Sequence, residues 1–142
     1  MIKIRHTGIV TKNIKESLYF WCKTLGFKIT KDLIESGNLI DKVLGYKKIK
    51  VRTIKLKDTN GNLIELLHFI NPPKTKLNKI KPYSNGITHL SITVKNIDLI
   101  YRKLKKNNTK FNTKPQISAD GNVKMTYCTA PEGSFLELVQ EL

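Results

Sequence analysis

The sequence predicts an α+β fold built from two tandem βαβββ modules, and three observations lead to this prediction. An internal repeat aligns residues 6–28 with residues 89–111, and a second match aligns residues 60–67 with residues 132–139. Apolar residues at helical spacing follow the first strand of each copy. Short runs rich in β-branched and aromatic residues then follow each helix.

Each copy begins with the same organisation. A short strand, residues 4–10 or 87–94, leads through a Lys-Asn-Ile turn into a helix whose apolar residues recur every three or four positions. In the first copy Gly26 marks the expected end of the helix. The apolar positions are Ile14, Leu18, Trp21, Cys22 and Leu25 in the first copy and Ile97, Ile100, Tyr101 and Leu104 in the second.

The remaining strands are predicted from β-rich runs behind each helix. Asn60-Gly61 and Glu132-Gly133 are turn signals for the last hairpin of each copy. The second match is offset by fewer positions than the first, so the first copy carries an extra loop between its helix and its last strands. The runs are residues 27–30, 50–57 and 62–69 in the first copy and residues 110–113, 123–129 and 134–142 in the second.

These elements set the module boundaries. We assign residues 1–70 to the first module, residues 71–84 to a proline-containing linker and residues 85–142 to the second module. Each module alone would leave one face of its sheet bare. We therefore expect the two modules to form one strongly curved mixed sheet, with the helices outside and a metal-containing cavity within.

Charge and composition narrow the range of partners. The chain has 26 Lys plus Arg against 11 Asp plus Glu, a net charge of +15. Its arginines are limited to Arg5, Arg52 and Arg102, whereas nucleic-acid recognition favours arginine. We therefore expect no nucleic-acid partner, but a small anionic substrate attracted by the basic surface. No apolar stretch is long enough for a signal peptide or a membrane span, so a cytoplasmic protein without a membrane partner is expected.

Four polar residues occupy equivalent places in the two copies. His6 and His89 lie on the first strands, and Glu65 and Glu137 lie on the last strands. Each glutamate alternates with apolar neighbours, so it points to the opposite sheet face from them, and a carboxylate facing a closed interior is costly unless it is paired or binds a cation. Two imidazoles and two carboxylates suit one divalent ion of Zn, Ni, Co, Mn or Fe.

Taken singly, each of these residues has an ordinary structural explanation. A histidine on a strand is usually a satisfied core or edge residue, and a glutamate on a strand usually faces solvent. The placement of all four at repeat-equivalent positions favours a shared metal site, since a solvated face would not require it. His68 follows Glu65 by three positions and therefore turns to the opposite face, so we interpret it as a non-ligand.

The segments that carry these residues resemble the vicinal oxygen chelate superfamily, and the resemblance covers nearly the whole chain. This superfamily includes glyoxalase I, methylmalonyl-CoA epimerase, extradiol dioxygenases and the bleomycin- and fosfomycin-resistance proteins. The resemblance implies a metal site formed by His6, Glu65, His89 and Glu137. The segments are HTGIVTKNIKESLYFWCKTLGFKI, GNLIELLHF, GITHLSITVKNI and EGSFLELVQ.

The ligand set bears on the reaction that the resemblance implies. Extradiol dioxygenases use two histidines and one carboxylate, so the additional ligand Glu65 favours the glyoxalase I and epimerase branches. Those branches are metal-dependent lyases or isomerases that abstract a proton next to a carbonyl or thioester through a metal-stabilised enolate. We expect Glu137 as the catalytic base, with Glu65 as the second choice. A homodimer is also expected, with the site completed either within one chain or across the dimer.

Departures from the family patterns leave the substrate open. Glyoxalase I usually places an arginine four positions after its first ligand and an asparagine four positions after its second, where this chain has Val10 and Phe69. The epimerase-like features include Glu35, near a second family acid, although Glu35 is equally interpretable as a solvated loop residue. An extradiol-type dioxygenase and a non-catalytic drug-binding protein of the same superfamily stay as alternatives.

Overall fold

The structure is a computed structural model that describes residues 4–72, 74 and 79–142. The chain divides into two compact units, Met1–Leu77 and Asn78–Leu142. The boundary between them falls within the segment predicted as the linker, of which residues 73 and 75–78 lie outside the described residues. Each unit carries its own mixed sheet.

The first unit has a four-stranded sheet in the order β1-β4-β3-β2. Strand β1 pairs with β4 in parallel, and the other neighbours are antiparallel. The first helix continues into a π-helical turn, Tyr19–Thr24. The elements are β1 Thr7–Val10, α1 Ile14–Leu18, β2 Lys28–Ser36, α2 Asn38–Leu44, β3 Lys50–Lys57 and β4 Leu63–Phe69.

The second unit repeats this arrangement with a sheet in the order β5-β9-β8-β6, and β7 pairs with β8. Strand β5 is again parallel to the last strand, β9. The α+β class and the two βαβββ modules predicted from the sequence are thereby confirmed. The elements are β5 His89–Thr93, α3 Ile97–Lys106, β6 Lys110–Phe111, β7 Gln116–Ile117, β8 Val123–Thr129 and β9 Phe135–Glu141.

The extra residues of the first copy form a strand extension and a helix, whereas the sequence predicted a loop. Strand β2 continues well beyond the predicted run at residues 27–30, and the helix α2 follows it. Gly37 and Gly45 flank this helix with φ angles of 98° and 74°, which residues with a β-carbon rarely adopt. The predicted loop was therefore wrong, because these two glycines allow a short helix to begin and end there.

One face of each sheet packs against the helix of its own module. In the first unit Leu56 and Leu66 are fully buried, and α1 contacts β4. In the second unit Leu138 and Leu104 are fully buried, and α3 contacts β9. Because side chains alternate along a strand, Glu65 and Glu137 each lie on the face of their sheet that is turned away from the helix. No helix within the described part of the chain is long and apolar enough to cross a membrane.

Candidate metal centre

The parallel pairing of β1 and β4 brings the first predicted histidine to the first predicted glutamate. Gly8 lies opposite Glu65 in the register, and His6 immediately precedes β1. The Nε2 atom of His6 lies 3.5 Å from Oε1 of Glu65. The Glu65 side chain is only 13% exposed, so its carboxylate requires a compensating partner.

Lys55 provides one such partner. It lies directly opposite Glu65 in the antiparallel pair of β3 and β4, and its Nζ is 3.4 Å from Oε2 of Glu65. The carboxylate therefore has one oxygen toward an imidazole and the other toward an ammonium group. We call His6, Lys55 and Glu65 the first half-site.

The second unit forms an equivalent pair. Ser91 lies opposite Glu137 in the parallel pair of β5 and β9, and the Nε2 atom of His89 is 3.8 Å from Oε2 of Glu137. Nδ1 of His89 lies 3.1 Å from the hydroxyl of Thr88. This contact holds the imidazole ring in place beside Glu137.

Tyr127 completes the second half-site, which we define as His89, Tyr127 and Glu137. It lies opposite Glu137 in the antiparallel pair of β8 and β9, and its hydroxyl is 3.4 Å from Nε2 of His89. Its ring meets the His89 imidazole edge to face at a centroid distance of 5.3 Å. Burial, together with the charge of Glu137 and a hydrogen bond to it, raises the pKa of the Tyr127 hydroxyl.

A small cavity adjoins the second half-site. Its volume is about 140 Å³, smaller than most small-molecule sites, and its lining combines polar groups with two aromatic rings. It is lined by Pro82, Thr88, His89, Tyr127 and Phe135.

The sequence prediction missed Lys55 and Tyr127. They become equivalent when the second repeat match is extended toward the N-terminus, since each precedes its glutamate by ten positions, and each lies opposite that glutamate. The sequence did offer a signal for this pair, because each residue lies ten positions before its glutamate. Their chemical types gave no signal, since one is a lysine and the other a tyrosine.

Each half-site offers one imidazole and one carboxylate, a donor set that suits a divalent cation. The imidazole–carboxylate distances of 3.5 and 3.8 Å exceed a normal hydrogen bond. Two donors on one zinc ion lie about 3.4 Å apart, because each bond is about 2.1 Å long, so both pairs are slightly wider than a bound ion would set them. In addition, Nδ1 of His6 is buried and has no hydrogen-bond partner among the described residues.

The structure thus brings His6 to Glu65 and His89 to Glu137. Across the described ranges, no group of three or more His, Cys, Asp or Glu side chains lies together as a metal site would require. The union of the two pairs on one ion stays a prediction.

Two other residues that the sequence raised have defined positions. Glu35 lies within β2 rather than in a loop, and the buried Thr53 donates a hydrogen bond of 2.7 Å to its carboxylate. The strand registers place Glu35 on the same sheet face as Glu65. His68 lies on the other face of β4 from Glu65, and its Nδ1 is 3.0 Å from the carbonyl oxygen of Thr11.

Comparison with known proteins gives the family. The sequence matches the Glyoxalase/Bleomycin resistance protein/Dioxygenase superfamily over residues 3–138, and the chain belongs to this superfamily. A curated relative is the uncharacterized protein YwbC of Bacillus subtilis, 27% identical over an alignment of 146 positions, gaps included, that covers 97% of each chain.

Solved structures share the fold. A glyoxalase family protein from Bacillus cereus has a TM-score of 0.90 at 19% identity, covering 100% of this chain and 95% of that one. The trypanothione-dependent glyoxalase I of Leishmania major has a TM-score of 0.66 at 17% identity, covering 99% of this chain and 88% of that one.

Proposed function

We propose that the protein is a metal-dependent lyase or isomerase of the glyoxalase I-like type, which removes a proton next to a carbonyl or thioester. The observation that carries this proposal is the presence of one imidazole–carboxylate pair at the same place in each βαβββ module. In the proposed site, His6, Glu65, His89 and Glu137 hold one divalent ion, within one chain or across a homodimer. When bound, such an ion supplies Lewis acidity that polarises the substrate carbonyl.

The remaining chemistry belongs to the side chains of the second half-site. Glu137 is the proposed base, and the neighbouring cavity can hold a small substrate beside it. The rings of Tyr127 and Phe135 line this cavity, so they reduce access of water to the reacting carbon. A positioned carboxylate contributes roughly a hundredfold to ten-thousandfold to proton transfer.

The substrate is proposed to be small and anionic. The net charge of +15 raises the local concentration of anions by electrostatic steering. Val10 and Phe69 replace the residues with which glyoxalase I usually grips glutathione. Lactoylglutathione lyase activity in the strict sense is therefore disfavoured. Acyl-CoA thioesters and other carbonyl compounds are equally favoured as candidate substrates.

The proposal is tested by metal analysis combined with proton exchange. The protein is reconstituted with Zn, Ni, Co, Mn or Fe, and we expect one ion per chain by elemental analysis. Each form is then incubated in D₂O with hemithioacetals and acyl-CoA epimers, and NMR is used to detect deuterium at the α-carbon. An unchanged number of metal ions per chain in the His6→Ala/His89→Ala double variant would refute the proposed ligand set. Oxygen uptake with catechols would favour the dioxygenase alternative.

A second candidate is a non-catalytic module that binds a small molecule without metal. The contact between Lys55 and Glu65 favours it, because the ammonium group compensates the carboxylate without any ion. Calorimetry with the metal-depleted protein distinguishes the two candidates. Tight binding of a small organic anion that is unaffected by added zinc would support the binding module.

A further inference from the structure

The two half-sites differ in charge at one pair of equivalent positions. Lys55 faces Glu65 across β3 and β4, whereas Tyr127 faces Glu137 across β8 and β9. The first pair sums to zero formal charge, because an ammonium group accompanies the carboxylate. The second pair keeps the negative charge of its carboxylate, because a tyrosine hydroxyl is neutral.

This difference affects any divalent cation that approaches. At Glu65 an incoming ion meets a carboxylate whose second oxygen already lies 3.4 Å from an ammonium group. The ammonium group repels the ion and withdraws charge from the carboxylate, and both effects are strong at partly buried positions. The Lys55 side chain is only 22% exposed, so solvent screens it incompletely.

We propose that Lys55 is a positioning residue that competes with the metal ion for Glu65, which makes the second half-site the stronger metal-binding half. In this arrangement Lys55 fixes the orientation of the Glu65 carboxylate, with Oε1 toward His6 and Oε2 away from it. Tyr127 lies opposite Glu137 and, being neutral, does not reduce the charge of its carboxylate. This inference rests on the proposed function only in taking the two glutamates as metal ligands.

The test is a zinc titration by calorimetry of the full-length protein and its single variants. We expect Lys55→Met to bind Zn²⁺ about tenfold more tightly than the unmodified protein, and Lys55→Arg to leave the affinity within about twofold. Tyr127→Phe is expected to weaken binding by a few fold, since the contact between its hydroxyl and the His89 imidazole is lost. Lys31→Met is the matched control: Lys31 lies opposite Lys55 on the same sheet face and makes no ion pair with Glu65 within the described residues.

A second measurement compares the two halves directly. We expect the His89→Ala/Glu137→Gln variant to lose more zinc affinity than the His6→Ala/Glu65→Gln variant. Circular dichroism and urea midpoints establish that each variant folds, and a variant that does not fold is replaced by its component single substitutions.

The outcomes separate this inference from the proposed reaction. Unchanged or weaker zinc binding by Lys55→Met, or equal losses in the two double variants, would overturn it. Absence of zinc binding in both the unmodified protein and Lys55→Met would overturn it together with the metal site. The expected affinity order without α-proton exchange on any carbonyl substrate would sustain it and refute the proposed reaction.

Discussion

Asn13 and Asn96 cap the first helices of the two modules in the same way. The side-chain oxygen of Asn13 accepts a hydrogen bond of 3.2 Å from the backbone N–H of Glu16, and that of Asn96 accepts one of 2.9 Å from Leu99. The repeated Lys-Asn-Ile tripeptide therefore has a physical cause. In each module it satisfies an N–H group that the first turn of the helix leaves without a partner.

We expect Asn13→Ala and Asn96→Ala each to lower the free energy of unfolding by about 1 kcal/mol, because each removes an N-cap. Urea denaturation followed by circular dichroism measures the change. The exposed neighbours provide matched controls, and Lys12→Ala and Lys95→Ala should shift stability by less than about 0.5 kcal/mol. Equal losses in the cap and control variants would contradict a capping role, whereas Asn→Ser at either cap should retain most of the stability.

The buried Cys128 thiol is expected to make the protein less stable at alkaline pH. Cys128 is buried, and burial raises its pKa from 9.0 to about 12. The unfolded chain therefore loses this proton at lower pH than the folded chain. The contribution of the buried thiol to the free energy of unfolding is fully present below pH 9. It is lost as the pH rises toward 12, by about 1.4 kcal/mol per pH unit.

The measurement is the unfolding free energy at pH 8, 9, 10 and 11 for the unmodified protein and Cys128→Ala. Lysines titrate in the same range, so the difference between the two proteins is the relevant quantity. We expect this difference to shrink with rising pH. A constant difference would contradict the assignment, and Cys22→Ala, which removes the less buried thiol, serves as the control.

Trp21 anchors the first module. It is fully buried and meets Phe20 and Phe27 edge to face at centroid distances of 5.3 and 5.4 Å. Trp21→Ala is expected to cost about 3–5 kcal/mol of stability, because a large side chain leaves a cavity. Guanidinium denaturation measures the loss, and Tyr19→Ala, in the same helical turn but 56% exposed, should cost far less. Similar costs for the two variants would show that Trp21 does not anchor the core.

The repeat was sufficient to predict the two modules, because their strands and helices have the same apolar spacing. Helix α2 was not predicted, since it has no buried face to create a recognisable amphipathic pattern. Leu39 is 78% exposed and Val43 is 70% exposed. Its bounds depend on the backbone freedom of Gly37 and Gly45, and a glycine pattern alone also fits a loop.

Repeat matching explains both why the candidate ligands were predicted and why Lys55 and Tyr127 were missed. Repeat matching detects residues that are the same in both copies, such as Glu65 and Glu137. It does not detect neighbours that differ, and their contacts with the glutamates follow from strand register. Periodicity within one strand does not determine which residue of the next strand lies opposite.

The roles of the two glutamates are the subject of the last prediction. If Glu137 is the base, Glu137→Gln should keep part of the metal affinity, because an amide oxygen can still act as a ligand. It should lose most turnover, by roughly a hundredfold or more, because an amide cannot accept the substrate proton. Exchange of the substrate α-proton with solvent deuterium, followed by NMR, should fall in parallel.

Glu65→Gln provides the matched comparison, since it makes the same chemical change at the equivalent position of the other module. We expect a milder loss of turnover there, because the ammonium group of Lys55 already occupies one oxygen of this carboxylate and leaves it less available as a base. The reverse ranking would exchange the roles of the two residues. If neither substitution affects a measured activity and turnover consumes oxygen, proton abstraction by either glutamate is refuted and the oxygenase alternative replaces it.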